Sequence, residues 1–205
     1  MAFLPSEIAW NEYYKNNIKI LKYPDENLVR LVEKYYNFHW ENALDFGCGT
    51  ARHLLYLKEK NIPNLFGLDF SKEVIDRNKK NFPEIEFIHY ENKNALPFKN
   101  AYFDLIICWG VLHYNSEEIR RFLLKEFRRI LKPNGILIGT YRSKQDTHYK
   151  NAANISSEIY FFDENEIQQE LSLYFKEIEI GFVARTPLGK LHQLIAHYYF
   201  CCKNF

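Results

Sequence analysis

Cysteine is sparse in this chain: Cys48, Cys108, Cys201 and Cys202 are all that 205 residues contain. Their spacing fits no zinc-binding pattern. Neighbours such as Cys201 and Cys202 are poorly placed to pair with each other, because disulfide geometry is restrictive. All four are expected to be reduced thiols. Neither sign of charge dominates, with 27 Lys and Arg against 26 Asp and Glu and a net charge of +1. That balance, with no extended basic stripe, gives no reason to expect a nucleic-acid or anionic-membrane partner. Long hydrophobic runs are missing too: the longest, around Leu105–Leu112, is far short of a membrane span. The opening MAFLPSEIAWNEYYKNN has neither a basic n-region nor a long apolar core. A secretory signal is therefore not expected, and the cytoplasm is the expected location. Repeats, long linkers and blocks of like charge are also absent.

What is present reads as a soluble globular chain, 47% hydrophobic and 26% charged. Its length suits one domain with a substantial core. Aromatic residues make up 17%; core filling explains them first, an aromatic-lined pocket second. Short apolar runs alternate with amphipathic segments. Strands are expected at Asn42–Gly47, Asn64–Phe70, Ile85–Tyr90, Phe103–Gly110 and Gly135–Tyr141. Helices are expected between them: Thr50–Asn61, a helix capped by Ser71 running to Lys80, and a long one capped by Ser116 and stopped by KPNG (Lys132–Gly135). Asp163 caps a further helix over Glu164–Tyr174, and Ser6–Asn16 and Asp25–Tyr36 also have helical patterns. KEIEIGFVA and LIAHYYFCC, separated by RTPLGK, read as a terminal antiparallel hairpin. Strands alternating with helices imply an α/β fold with a largely parallel sheet, whose ligands bind at the carboxyl ends of the strands.

Those strand ends carry the chemistry. NALDFGCGTARHLLYLKEK (Asn42–Lys60) is an apolar strand that ends in Gly47 and Gly49 and leads straight into a helix. Such a turn exposes backbone N–H groups beside the positive end of a helix, where an electron-rich ligand belongs. The next strand ends in Asp69, a carboxylate able to accept ribose hydroxyls; helix-start neighbour is its structural alternative. For Asp45 the structural alternative is a buried carboxylate that orients the glycine loop through backbone N–H groups, a role compatible with ligand binding. Glu91 and Asn92, after the third strand, can meet an adenine edge. A dinucleotide fingerprint needs a third glycine, and Arg52 stands there, so an NAD-dependent oxidoreductase fits poorly.

The segments ALDFGCGTARHLLYL, LFGLDFSKEVIDRNKKN, LPFKNAYFDLIICWGVLHY and LKEFRRILKPNGILIGTY lie in order over Asn42–Tyr141. Together they resemble the class I S-adenosylmethionine-dependent methyltransferases. The resemblance implies a Rossmann-like, doubly wound, seven-stranded sheet, mostly parallel, with its last strand inserted antiparallel. It implies one domain over 1–205, with a helical lid segment at 1–40 and the core at 41–205. Asp45, Gly47, Cys48 and Gly49 fall on the element that surrounds the methionine part and ribose of S-adenosylmethionine, whose product is S-adenosylhomocysteine. Asp69 falls on the ribose-binding acid, and Phe70 beside the adenine. Glu91 and Asn92 fall on the element that holds the adenine amino group. Cys108 and Trp109 fall where backbone carbonyls meet the cofactor's amino group. Two positions depart: Ala51 replaces the usual glycine, and Tyr90-Glu91-Asn92 replaces Gly-Asp-Ala.

Methyl transfer is a displacement at a sulfonium carbon, so the protein has to align the reactants and exclude water. No metal is expected. Candidate groups on the acceptor side are Tyr13 and Tyr14, on a segment that resembles the lid of small-molecule family members, His113 in VLHY as a base, and Arg142 after the fifth strand. Lys144 and His148 accompany Arg142 as groups for an anionic acceptor. Each has a plain alternative: helix packing, a structural histidine, a solvated loop. A small-molecule acceptor is expected, oxygen or nitrogen before carbon, and no nucleic-acid partner, since Cys108–Val111 reads CWGV and not the Asn-Pro-Pro-Tyr of nucleic-acid amino-methylating enzymes. A non-catalytic nucleoside-binding scaffold of the same fold is the second expectation.

Overall fold

A continuous apolar strand needs cover on both faces, and Asn42–Phe46 and Phe103–Cys108 obtain it at the centre of a two-faced sheet. The computed structural model describes residues 21–36, 38–90, 95–150 and 159–205. In chain order these form α1 (Glu26–Tyr35), β1 (Asn42–Phe46), α2 (Arg52–Glu59), β2 (Asn64–Asp69), α3 (Lys72–Asn81), β3 (Glu86–His89) and β4 (Phe103–Cys108). After a 3₁₀ turn at Leu112–Tyr114 come α4 (Glu117–Ile130), β5 (Leu131–Ser143), α5 (Thr147–Lys150), β6 (Phe161–Phe162), α6 (Glu164–Ser172), β7 (Lys176–Arg185) and β8 (Ile195–Lys203). The helix expected at Ser6–Asn16 lies outside the described residues.

The sheet order is β3-β2-β1-β4-β5-β8-β7, with the short β6 beside the end of β5. β1 to β5 run parallel, and β8 enters antiparallel between β5 and β7. The Rossmann-like α/β fold and its antiparallel terminal hairpin are thus as the sequence leads one to expect. Period-two alternation sorts the core into two layers. Leu44 and Phe46 join Leu123, Phe127, Ile130 and Ile167 on the face covered by α4 and α6. Ala43 joins Leu28, Val32, Leu54, Leu57 and Ile75 on the face covered by α1, α2 and α3. Asp45 shares the face of Ala43, which places its carboxylate on the side of α2 at the ligand end of the strand. No helix among the described residues is long and apolar enough to cross a membrane.

Three local expectations are corrected. KPNG does not stop α4, which ends at Ile130; Leu131 is already extended and β5 begins there. From Phe103↔Leu131 to Leu105↔Ile136 the pairing advances two residues on β4 against five on β5, so Lys132–Gly135 bulge outward. Pro133, which has no N–H to donate, sits in that bulge, as proline in a sheet must. β4 stops at Cys108, because Gly110 turns to φ +76°. Ser71 and Ser116 occupy N-cap positions without using their hydroxyls as caps, whereas Asp163 and Glu166 form the reciprocal capping box at the start of α6.

Candidate active site

The turn after β1 has the backbone its glycines imply. Gly47 and Gly49 sit at φ +78° and +49°, and Ala51, where the family resemblance expects glycine, is also left-handed at +61°. A non-glycine residue there costs roughly 1–2 kcal/mol; the buried Ala51 methyl is the smallest side chain that could bear it. The turn is tied down on two sides. Gly47 and Cys48 donate their N–H groups to the Leu68 carbonyl at 2.7 and 3.1 Å. Asn78 of α3 donates to the Gly49 carbonyl at 2.8 Å. Ala51 provides no side-chain cap to α2, so the N–H groups of its first turn face the cleft without one. Arg52 turns back and donates to the Tyr23 carbonyl at 3.1 Å, while the Thr50 hydroxyl donates to the Leu21 carbonyl at 2.7 Å. The segment leading into α1 is thereby anchored beside the glycine turn.

Asp69 takes the structural role considered for it and leaves room for the other. Its carboxylate accepts from Gly49 N–H at 3.0 Å and from Ser71 N–H at 2.9 Å, one bond per oxygen. It is the helix-start neighbour, and each oxygen keeps capacity for a further hydroxyl donor. Burial pushes its pKa up, and the two N–H groups oppose that. Phe70 follows, half-buried, its carbonyl 2.8 Å from His89 Nε2.

Asp45 does not take its structural alternative. It does not orient the glycine loop: the loop N–H groups go to Leu68 and Asp69. Its side chain is 1% exposed, yet neither oxygen has a hydrogen bond among the described residues. His53 Nδ1 lies 3.5 Å from Asp45 Oδ2. The opposite nitrogen, Nε2, is likewise buried without a partner among the described residues, and the ring meets Trp109 edge-on at 6.3 Å. Leaving a buried carboxylate without donors is costly. An incoming ammonium group would compensate it, and S-adenosylmethionine carries one at its methionine end. The residues present therefore fit that cofactor. The thiols of Cys48 and Cys108 are fully buried and their pKa values lie well above the usual thiol range because of burial, so they offer shape and backbone, not nucleophiles. Glu91, Asn92, Tyr13 and Tyr14 lie outside the described residues.

Beyond the glycine turn, Gly110 N–H donates to Thr140 Oγ1 at 2.8 Å, and the cleft wall continues to His113. His113 is 1% exposed, and its Nδ1 has no partner among the described residues. Burial first, then His197 and Arg142, push its pKa down to about 3. That shift makes it a weaker base and speaks for the structural histidine over the proton acceptor. Its ring lies 5.7 Å from that of His197 on β8. Arg142 does not extend into solvent: its side chain is 12% exposed and Nε donates to Asp146 at 2.7 Å. Lys144, expected beside it, instead bridges Asp163 and Glu166 at 3.0 and 2.6 Å, away from this cluster.

Asn78, His53, Asp146 and His197 escape sequence reasoning. The spacing Arg142–Asp146–His148 was a readable signal, since side chains this close in sequence can meet in one turn. His197 carried none, because only the antiparallel pairing Arg142↔His197 brings it there.

The two histidines make stability depend on acid. Their folded pKa values, about 3 for His113 and about 4 for His197, lie below the ordinary 6.5. Below 6.5 the unfolded chain binds protons that the folded chain refuses, so stability is lost as pH falls through this window. Asp69, held up by burial, acts in the opposite sense and offsets part of the loss. The unfolding free energy from urea titrations should drop by at least about 1 kcal/mol per pH unit between pH ~6.5 and ~4.5. His113→Gln should flatten that slope; an equally steep slope in the variant would contradict the assignment.

Residues 43–135 match the family described as methyltransferase domain. Among curated proteins, the chain is 36% identical over 97 residues to probable tRNA methyltransferase 9B of Mus musculus, covering 46% of this chain and 20% of that protein. It is 33% identical over 101 residues to the ubiquinone/menaquinone biosynthesis C-methyltransferase UbiE of Campylobacter jejuni, covering 46% and 41%. The matches thus span less than half the length of these relatives. Among solved structures, a chain in complex with the Trm112 methyltransferase activator of Haloferax volcanii superposes with a TM-score of 0.70 at 15% identity, over 98% of this chain and 96% of that one. These relatives correct one expectation. Charge balance and the CWGV sequence do not exclude a nucleic-acid-linked partner, because relatives similar over this region include probable tRNA methyltransferases. Net charge averages over the whole chain and cannot report a local surface or a domain elsewhere in a longer relative.

Proposed function

We infer that this chain, a class I S-adenosylmethionine-dependent methyltransferase by fold and motif, moves a methyl group from S-adenosylmethionine to an oxygen or nitrogen of a small-molecule acceptor. The observation that carries this reading is the pair of buried carboxylates flanking the glycine turn. Asp69 is pre-bonded to the turn, and Asp45 lacks any hydrogen bond among the described residues. Asp45 would hold the methionine ammonium group and Asp69 the ribose hydroxyls. Gly47, Cys48 and Gly49 give close backbone approach, with Phe70, Glu91 and Asn92 on the adenine side and the Cys108 and Trp109 carbonyls towards the methionine end. The cofactor supplies an electrophilic methyl carbon; the chain's work is to orient it and keep water out. In this reading the lid expected over residues 1–40 shrinks to the segment before α1, because Leu28 and Val32 of α1 are buried in the core, and Tyr13 or Tyr14 would close over the methyl group. Arg52, committed to the Tyr23 carbonyl, supports the case against a dinucleotide at this turn.

A second reading takes a nucleotide of RNA as the acceptor, favoured by the likeness to probable tRNA methyltransferase 9B. One experiment separates them. The protein is incubated with isotopically methyl-labelled S-adenosylmethionine and, in parallel, a metabolite extract or a total tRNA fraction, and products are read by mass spectrometry. A labelled methyl in a metabolite is the expected result. Label confined to RNA would establish the second reading. Label in neither would leave the fold as a nucleoside-binding scaffold and overturn methyl transfer.

A further inference from the structure

The cluster at the end of β5 has an unusual donor balance. Asp146 is wholly buried and already accepts a full set of bonds: Arg142 Nε and Ala196 N–H on one oxygen, His148 N–H and His148 Nδ1 on the other, at 2.7, 2.9, 2.8 and 2.8 Å. Although burial alone would raise its pKa, Arg142 and these N–H groups hold it below the ordinary carboxylate range. Asp146 is therefore a saturated positioning residue, fixed as an anion. Arg142 is the reverse. Only Nε is well bonded. Its terminal nitrogens face imidazole nitrogens at long range, Nη1 to His197 Nε2 at 3.5 Å and Nη2 to His148 Nδ1 at 3.4 Å. Contacts of that length are weak. A guanidinium has a planar fork of donors and no acceptor capacity, so most of this fork is poorly used within the protein.

The fork also stands in the right place. Arg142 lies three residues beyond Gly139, the register partner of Cys108 at the end of β4, so it is past the nucleoside part of the cleft. His113, whose Nδ1 is buried without a partner among the described residues, lies between that part and His197. We propose that Arg142 and His197, positioned by Asp146, form a subsite for an oxyanion, a carboxylate or phosphate, carried by the methyl acceptor. The word acceptor rests on the methyl-transfer reading above; the oxyanion subsite itself does not. Parallel N–H bonds from Nη1 and Nη2 would meet two oxygens, the geometry that favours arginine over lysine. The imidazole of His197 would turn from a poor partner of one cation into a donor to the same anion.

His197 titrates within reach of groups from every neighbouring element: Arg142 on β5, Asp146 after it, His113 on the 3₁₀ turn, His148 on α5, Arg185 on β7 and Asp25 before α1. Burial and then the two arginines hold it down to about 4. A bound oxyanion offsets those arginines, so its pKa should rise on binding and the anion should bind more tightly as pH falls.

The test uses the full chain saturated with S-adenosylhomocysteine and follows the His197 imidazole resonances by NMR. Three probes are titrated at matched ionic strength against sodium chloride: acetate, inorganic phosphate and a dinucleoside monophosphate. The expected result is a saturable shift of His197 with at least one probe beyond that of chloride, and an apparent affinity that falls about tenfold or more in Arg142→Gln. Acetate or phosphate as the stronger probe places the group on a small acceptor; the phosphodiester as the stronger probe places it on RNA. Arg142→Lys, which keeps the charge and loses the fork, should also lose most of the effect and guards against a folding defect in the first variant. The proposal is overturned if none of the three probes moves His197, or if both variants keep the shift and affinity of the parent chain. Failure of S-adenosylhomocysteine to bind at the outset would instead count against the cofactor reading, and the titration on the free chain would still decide the subsite.

Discussion

Asp45→Asn should leave the free protein as stable as the parent, or more stable, while weakening S-adenosylhomocysteine binding by roughly 100-fold or more. Both halves follow from one observation. The Asp45 carboxylate is buried, and no donor among the described residues satisfies it. The contact to His53 Nδ1, 3.5 Å, is too long to offset the lost hydration. Asparagine has nearly the same shape and no charge, so the free protein sheds a desolvation cost. In the complex the balance inverts, because breaking a buried charge pair by neutralising one partner costs about 3–5 kcal/mol. Thermal melts and calorimetry on the same preparations check the pair of effects. A destabilised variant with unchanged affinity would make Asp45 a structural residue and remove it from the site.

Gly47→Val should be the most damaging change in the turn. A Cβ built on Gly47 comes 2.4 Å from Val111 Cγ2, in a backbone at φ +78°. The left-handed angle costs roughly 1–2 kcal/mol for an L residue and the overpacking about 1–3 more, before any contact with a ligand. The variant should lose about 2–5 kcal/mol of stability and all measurable cofactor binding. The two causes can be separated. Adding Val111→Ala relieves the clash and should return part of the stability. The angle and the blocked approach remain, so binding should stay lost. Recovery of binding in the double variant would show that the turn serves packing and not a ligand.

The legible parts of this molecule are those fixed by short-range rules. Gly47 and Gly49 announced their positive φ, and Asp69 its place at a strand end. The terminal runs read as a hairpin because each alternates and RTPLGK parts them. Legibility fails where a residue's role depends on the far side of the fold. Asn78 holds Gly49 across 29 positions of sequence, and His197 meets Arg142 across 55. Lys144 was drawn to Asp163 and Glu166, whose capping box was itself predictable, but the pairing of β6 with β5 that brings α6 near was not. The start of β5 was misplaced because Pro133 and Gly135 have the look of a helix stop, and a bulge uses the same residues. Family likeness assigned cofactor roles to positions the residues alone left open, and whole-chain charge misled on partners because it cannot report a local surface.

The central claim is that the glycine turn and Asp69 together grip the nucleoside of S-adenosylmethionine. Calorimetric titration of S-adenosylhomocysteine into the parent chain and into Asp69→Ala tests it most directly. The account predicts saturable binding to the parent and a loss of about 1.5–3 kcal/mol or more in the variant, the scale of hydrogen bonds to a charged group. Equal affinity in a folded Asp69→Ala, or no binding to the parent at all, would contradict it.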